Sequence, residues 1–199
     1  MHPDVALAAH GLCGTRESSL CLRFAFDDLY GYNTLAPAPG DLARTWIYGP
    51  IFEGYWLDPG RSAICGNRPT SQRRALLEGA VEIVDGLVDA IAPGVTARQL
   101  GVRGAALARK HGYFDHPQLK VPLLGHGLGT FFVPYLIPIG EGEPDPTGRL
   151  KYDEPLKPGM VMAAEIFLTH PGVGTAAFEQ NVIVTDRGAE LLTRTPMLF

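Results

Sequence analysis

An α+β fold is what this sequence predicts, and three observations predict it. Two helical periodicities lie back to back in the middle of the chain, over 69–94 and from Thr96 to about Lys110. Apolar, strand-like runs broken by Gly and Pro turns precede them. The final third is again β, and it closes on two apolar runs, VMAAEIFLT (161–169) and TAAFEQNVIVT (175–185), joined by the turn signal HPGVG.

Taken in order, the first 20 residues are weakly patterned, and LCLRFAFDDLYGY (20–32) reads as a strand entering a turn. PAPGD (37–41) is a turn and LARTWIYGP (42–50) a strand. IFEGYWLDPGRSAICG (51–66) reads as a second strand that ends at Gly66 and completes a hairpin. Within it Tyr55 and Leu57 share one face while Trp56 and Asp58 share the other, and Tyr55 and Trp56 are expected in the core rather than as a substrate platform. The helix over 69–94 sets Leu76, Leu77, Ala80, Val81, Val84, Leu87, Val88 and Ile91 at spacings of three and four. Thr70 or Ser71 caps its start and Pro93-Gly94 stops it. Thr96 is the expected cap of the second helix, and Gly112 ends it. The segment IGEGEPDPTGRLKYDEPLKPG (139–159) is long for a structureless connection, which points to a lid or binding loop. With no repeat and no linker in view, one domain over 1–199 is expected.

Composition narrows the function. At 199 residues, 46% hydrophobic and 19% charged, the chain is globular and turn-rich rather than disordered. Net charge is −4 with no basic cluster, so neither nucleic acid nor an anionic membrane is an expected partner. No apolar run reaches membrane-spanning length, and MHPDVALAAHGLCG has no positive n-region, so no secretion signal is expected. Cys13, Cys21 and Cys65 are odd in number and lack CxxC spacing; they read as reduced thiols of a cytoplasmic protein rather than as zinc ligands.

The chemistry concentrates late in the chain. If the last hairpin closes symmetrically about Gly172, Glu165 and Glu179 stand directly opposite each other. Like charges facing across a strand pair repel, and a carboxylate in an apolar strand is costly to bury unless it is paired or binds a metal. A cation between them removes both problems; the bland alternative puts both on a solvent face, with His126 of GHGLG (125–129) a turn residue. Asp58 is either a turn former ahead of Pro59-Gly60 or a further carboxylate ligand. Asp58, His126, Glu165 and Glu179 together make an oxygen-rich set with one nitrogen, suited to Mn, Fe(II), Co or Zn, and one ion so held leaves room for water or substrate. Asn181, on the face of Glu179, is placed to hydrogen-bond ligand oxygens.

In order and spacing, APGD (38–41), GPIFEGYWLDPGRSAICG (49–66), IAPGVTARQL (91–100), LLGHGLG (123–129), LKPGMVMAAE (156–165) and FEQNVIVTDRGAELLT (178–193) resemble the pita-bread metallopeptidase family, which includes methionine aminopeptidase, aminopeptidase P, prolidase and creatinase. The resemblance implies two pseudo-symmetric α+β halves around a curved antiparallel sheet, with two divalent ions held by Asp, Asp, His, Glu and Glu. It places Arg61 where the family often has an Arg and implies that it orients a carboxylate.

The chain departs from that pattern at defined places. The family's first Asp lies eleven residues before the second, and here that position is Ile47. The second His falls seven residues after the GHG His, at Val133. An upstream His is missing from DLYGY (28–32), and Ile166-Phe167 follow Glu165 in place of Pro-Gly. The helical portion ahead of the first hairpin is short or absent, so a fragment or a trimmed member is expected. Because the missing Asp serves mainly one metal, the resemblance implies a mononuclear site of Asp58, His126, Glu165 and Glu179, unless Asp27, Asp28 or Asp41 substitutes. The expected activity is metal-dependent hydrolysis of a peptide or related C–N bond, with His126 and Glu165 catalytic, one divalent ion per chain, a peptide or small-molecule substrate, and a homodimer allowed. The alternatives are a diverged non-peptidase metalloenzyme, such as a lyase or small-molecule hydrolase, and a non-catalytic peptide-binding relative.

Overall fold

The computed structural model describes residues 8–10, 39–40, 42–48, 51–52, 54–112, 123–129, 133–170 and 173–194. Its centre is a five-stranded antiparallel sheet in the order β10-β9-β8-β6-β7, built from β6 (Leu123–Leu128), β7 (Val133–Pro138), β8 (Val161–His170), β9 (Gly174–Thr185) and β10 (Gly188–Leu191). A second sheet joins β1 (Ala8–His10), β2 (Leu42–Tyr48) and β5 (Gly60–Ile64), and a small ribbon pairs β3 (Ile51–Phe52) with β4 (Tyr55–Trp56). Helix α1 (Ser71–Val88) lies on β8 and β9, and α2 (Ala97–Lys110) lies on β7 and against α1. The antiparallel sheet with helices packed on it gives the expected α+β class.

The periodicities explain the layering. Helix α1 buries Leu76, Leu77, Ala80, Ile83, Val84 and Leu87, a stripe at three- and four-residue spacing. Strand β8 answers with Met162, Ala164, Ile166 and Leu168, all in the same core. The alternate residues of β8, including Ala163 and Glu165, therefore face away from the helices. Both helices begin on a threonine cap: the Thr70 hydroxyl accepts from the Arg73 amide, and Thr96 with Gln99 forms a reciprocal capping box.

Three expectations change. The single strand over 51–66 is broken: the chain turns back at Gly54, and of its pieces β5 is the one that pairs with β2. Pro59 just ahead of β5 has no amide to give a ladder, so the strand cannot run through it. Tyr55 and Trp56 are then left on a two-stranded ribbon, 44% and 40% exposed, rather than in the core. Helix α1 stops at Val88, not at Pro93, because the pyrrolidine ring disfavours helical geometry at Ala92 and in the turn before it.

The 139–159 segment is a strap rather than a free lid. Arg98 of α2 forms a two-pronged ion pair with Asp153 and donates to the Glu141 carbonyl. Gly140 donates to Gly101, and Leu156 exchanges backbone bonds with Gly94 and Val95. These contacts tie the segment to the helices. Among the described residues no helix is long and apolar enough to cross a membrane. The strand expected over 20–32, Cys13, Cys21, Asp27, Asp28 and Asp41 lie outside the described residues, as do the side chains of Ile47 and Val133.

Candidate metal centre

Strand register builds the site. Glu165 is the direct partner of Glu179, and Ala163 of both Asn181 and His126. Directly opposed residues share a face, so His126, Glu165, Glu179 and Asn181 stand on the sheet face turned away from the helices. Gly125 makes the approach of β6 possible. Its φ is +147°, and a Cβ there would lie 2.1 Å from the Ala163 carbonyl oxygen. Asp58 enters from the loop between β4 and β5.

The ligand atoms of Asp58, His126 and Glu179 lie within 4.8 Å of one another. Glu165 joins this trio through the imidazole: His126 Nε2 is 3.4 Å from Asp58 Oδ2 and 3.6 Å from Glu165 Oε1. His126 Nδ1 is 3.1 Å from the Gly127 carbonyl. A carbonyl only accepts, so Nδ1 carries the hydrogen and Nε2 is the atom turned to the carboxylates. All four side chains are buried: Asp58 is 4% exposed, His126 5%, Glu165 7% and Glu179 1%.

That burial has electrostatic consequences. Desolvation pushes the Glu165 carboxyl up to about 7, with the Asp58 charge adding to the rise and the His126 charge opposing it. Burial also works against the His126 imidazolium, but the hydrogen bond to Asp58, the charges of Glu165 and Asp58, and the Gly127 carbonyl outweigh it and raise the pKa. The group thus holds carboxylates close together in a place that penalises their charge. A divalent cation fits it by relieving the repulsion, and the oxygen-plus-imidazole donor set suits Mn, Fe, Co or Zn.

Around this group the backbone of β9 is tied down residue by residue. The Asn181 Oδ1 accepts from the Asp58 amide at 3.0 Å, while its Nδ2 donates to Asp58 Oδ1 at 3.4 Å and Glu179 Oε1 at 3.3 Å. One amide therefore bridges two carboxylates brought together from positions 58 and 179. Arg61 donates to the Glu179 carbonyl and, at 2.8 Å, to Gln180 Oε1, with its guanidinium 4.6 Å over the Phe178 ring. Its grip is on the strand that carries Glu179. The Ser62 hydroxyl both accepts from and donates to the Ala177 backbone at 2.8 Å. Ser62, Gln180 and Thr193 are additions that sequence pattern did not mark; each acts through a long-range contact with no periodic signature.

Residues 39–186 match Metallopeptidase family M24. The chain is 30% identical over 149 residues to the Xaa-Pro dipeptidase of Pyrococcus furiosus, covering 74% of this chain and 38% of that protein. Among solved structures, the prolidase from Pyrococcus furiosus superposes with a TM-score of 0.66 at 27% identity, over 86% of this chain and 46% of that one. Dipeptidase PepE from Mycobacterium ulcerans superposes at 0.67 and 26% identity, over 85% and 42%. The chain spans less than half the length of these relatives. By the extent of the family match and by its fold, this chain belongs to Metallopeptidase family M24.

Proposed function

We propose that this chain is a metal-dependent hydrolase of a peptide-type C–N bond, with Xaa-Pro dipeptides the first substrates to try. The observation that supports this reading most is the buried convergence of Asp58, His126 and Glu179 within 4.8 Å. Asp58, His126, Glu179 and Glu165 are the proposed ligands of one divalent ion, Mn, Fe, Co or Zn. When bound, such an ion polarises a carbonyl and lowers the pKa of water. Asp58 and Glu179 are held for this task by Asn181, and His126 by the Gly127 carbonyl. Glu165 stands beside His126, with Oε1 3.6 Å from Nε2, and completes the proposed ligand set. The similarity to Xaa-Pro dipeptidases supports the substrate class.

One ion rather than two follows from Ile47 at the position of the family's first Asp. Without imidazoles at Val133 and in DLYGY, turnover is expected to be slow, since such groups contribute factors of about 10²–10⁴. The test is a metal-reconstituted assay on Xaa-Pro dipeptides with metal analysis after dialysis. The reading expects about one retained equivalent and slow, metal-dependent cleavage that disappears in His126→Ala and Glu179→Ala. Metal uptake without cleavage of any dipeptide favours the diverged non-peptidase enzyme. Peptide binding without metal uptake favours a non-catalytic relative.

A further inference from the structure

We propose that Thr193 is a positioning residue for the carboxylate site, acting through Asn181. The inference rests on the metal-site reading above for its functional meaning, but the chain of contacts stands on its own. Strand β10 pairs with β9 only as far as Leu191 opposite Val182. Beyond that point Leu192 donates to the Asn181 carbonyl at 2.9 Å. The next donor on β9, the Asn181 amide, then has the Thr193 hydroxyl as its acceptor, also at 2.9 Å. The same hydroxyl donates to Gln180 Oε1 at 2.8 Å. That oxygen accepts from Arg61 as well, at 2.8 Å, and a carbonyl oxygen has two lone pairs for the two donors. Thr193 is 8% exposed and Asn181 is fully buried, so these bonds do not compete with bulk water.

The placement is specific to the site. The outer edge of β9 is held at Ala177 by Ser62, at Glu179 by Arg61 and at Asn181 by Thr193. These three residues alternate along the strand and share the face that carries Glu179. Ser62 and Arg61 come from the segment just after Asp58, whereas Thr193 comes from the far end of the described chain. The Asn181 side chain in turn accepts from the Asp58 amide and donates to Asp58 and Glu179. A hydroxyl two residues past the last strand therefore sets the backbone from which the bridging amide reaches both carboxylates. Groups that hydrogen-bond metal ligands directly, as Asn181 does, typically change metal affinity by about 10–100-fold when removed, and Thr193 acts one contact further out, at the low end of that range.

The experiment compares Thr193→Val, which keeps shape and drops the hydroxyl, with Thr193→Ser, which keeps the hydroxyl. The first readout is amide hydrogen exchange in the metal-free protein at Asn181 and Asp58. Faster exchange at both amides in the valine variant, restored by serine, is expected. The second readout is Co²⁺ titration with its visible absorption spectrum: about tenfold weaker uptake with an altered spectrum in the valine variant, and near-parental behaviour in the serine variant. Thr193→Ala takes the place of valine if the latter does not fold. Unchanged exchange at Asp58 in the hydroxyl-free variant, or equal losses in valine and serine, overturns the inference. If the parent protein takes up no Co²⁺, the metal-site reading fails, and the exchange data alone decide the role of Thr193.

Discussion

Asn181 concentrates the residue-scale argument, because one side chain holds two like-charged neighbours in place. Replacing it with Ala leaves the Asp58 amide and a Glu179 oxygen without their bridge inside a buried site. The expected result for Asn181→Ala is about 10–100-fold weaker uptake of Co²⁺ or Mn²⁺ by titration, with secondary structure retained. A variant that binds like the parent would show that Asp58 and Glu179 hold their geometry unaided. This part of the site was legible in the sequence, since the period of two places 179 and 181 on one face and the turn centred on Gly172 sets 165 against 179. Asp58 was legible only as an alternative between turn former and ligand, because the residues after it are Pro59 and Gly60. Its burial is decided by a contact with position 181 that no local pattern carries. The site roles of Ser62, Gln180 and Thr193 were not legible for the same reason.

Elements raise a different question, namely how closely helices and strands can approach. Gly86 of α1 and Gly101 of α2 are both helix-interior glycines, and Ala is preferred at such positions by about 1 kcal/mol. A Cβ at Gly86 would meet the end of the Leu107 side chain at 2.6 Å, which can rotate away. A Cβ at Gly101 would meet the backbone oxygens of Gly140 and Pro138, each at 2.4 Å, which cannot. Thermal or urea unfolding should therefore find Gly86→Ala near neutral or slightly stabilising, and Gly101→Ala destabilised by about 1–3 kcal/mol. Equal effects would mean that the 139–159 strap yields freely at α2. The strap has its own titration signature. The Leu150 amide, the Thr147 hydroxyl and further backbone amides hold the Asp145 carboxyl down to about 2. A folded value below the unfolded one of about 3.9 means that this contribution is present above pH 4 and is lost as pH falls through about 2. Carboxyl NMR titration of Asp145, with Asp145→Asn as control, checks it. Caps at Thr70 and Thr96 were legible because capping is local, whereas the break in the 51–66 strand had only Gly54 and Pro59 to signal it, and which piece pairs with β2 is a long-range choice.

At the scale of the molecule, the site sets stability against occupancy. Folding gathers Asp58, Glu165 and Glu179 from three segments into a buried group on one sheet face, whereas the unfolded chain leaves them apart and hydrated. An ion that binds the folded state alone stabilises it by RT ln(1 + [L]/Kd), about 2.7 kcal/mol at a hundredfold excess over Kd. For a chain of 199 residues each kcal/mol is worth roughly 2–4 °C in Tm. Saturating Mn²⁺ or Co²⁺ is thus expected to raise Tm by about 5–10 °C, and a chelator should reverse the rise. Glu179→Gln separates the two contributions. It keeps an acceptor oxygen for Asn181 but removes one negative charge from the buried group, so in the metal-free state it should unfold no earlier than the parent. With metal added, its Tm should move by no more than a fraction of the parental shift. A parent Tm indifferent to every divalent ion tested would refute the linkage. A metal-free Glu179→Gln that melts well below the parent would show that the carboxylate is held by favourable contacts in the absence of metal. The carboxylates of the empty site would then be a stable part of the core rather than a group under electrostatic load.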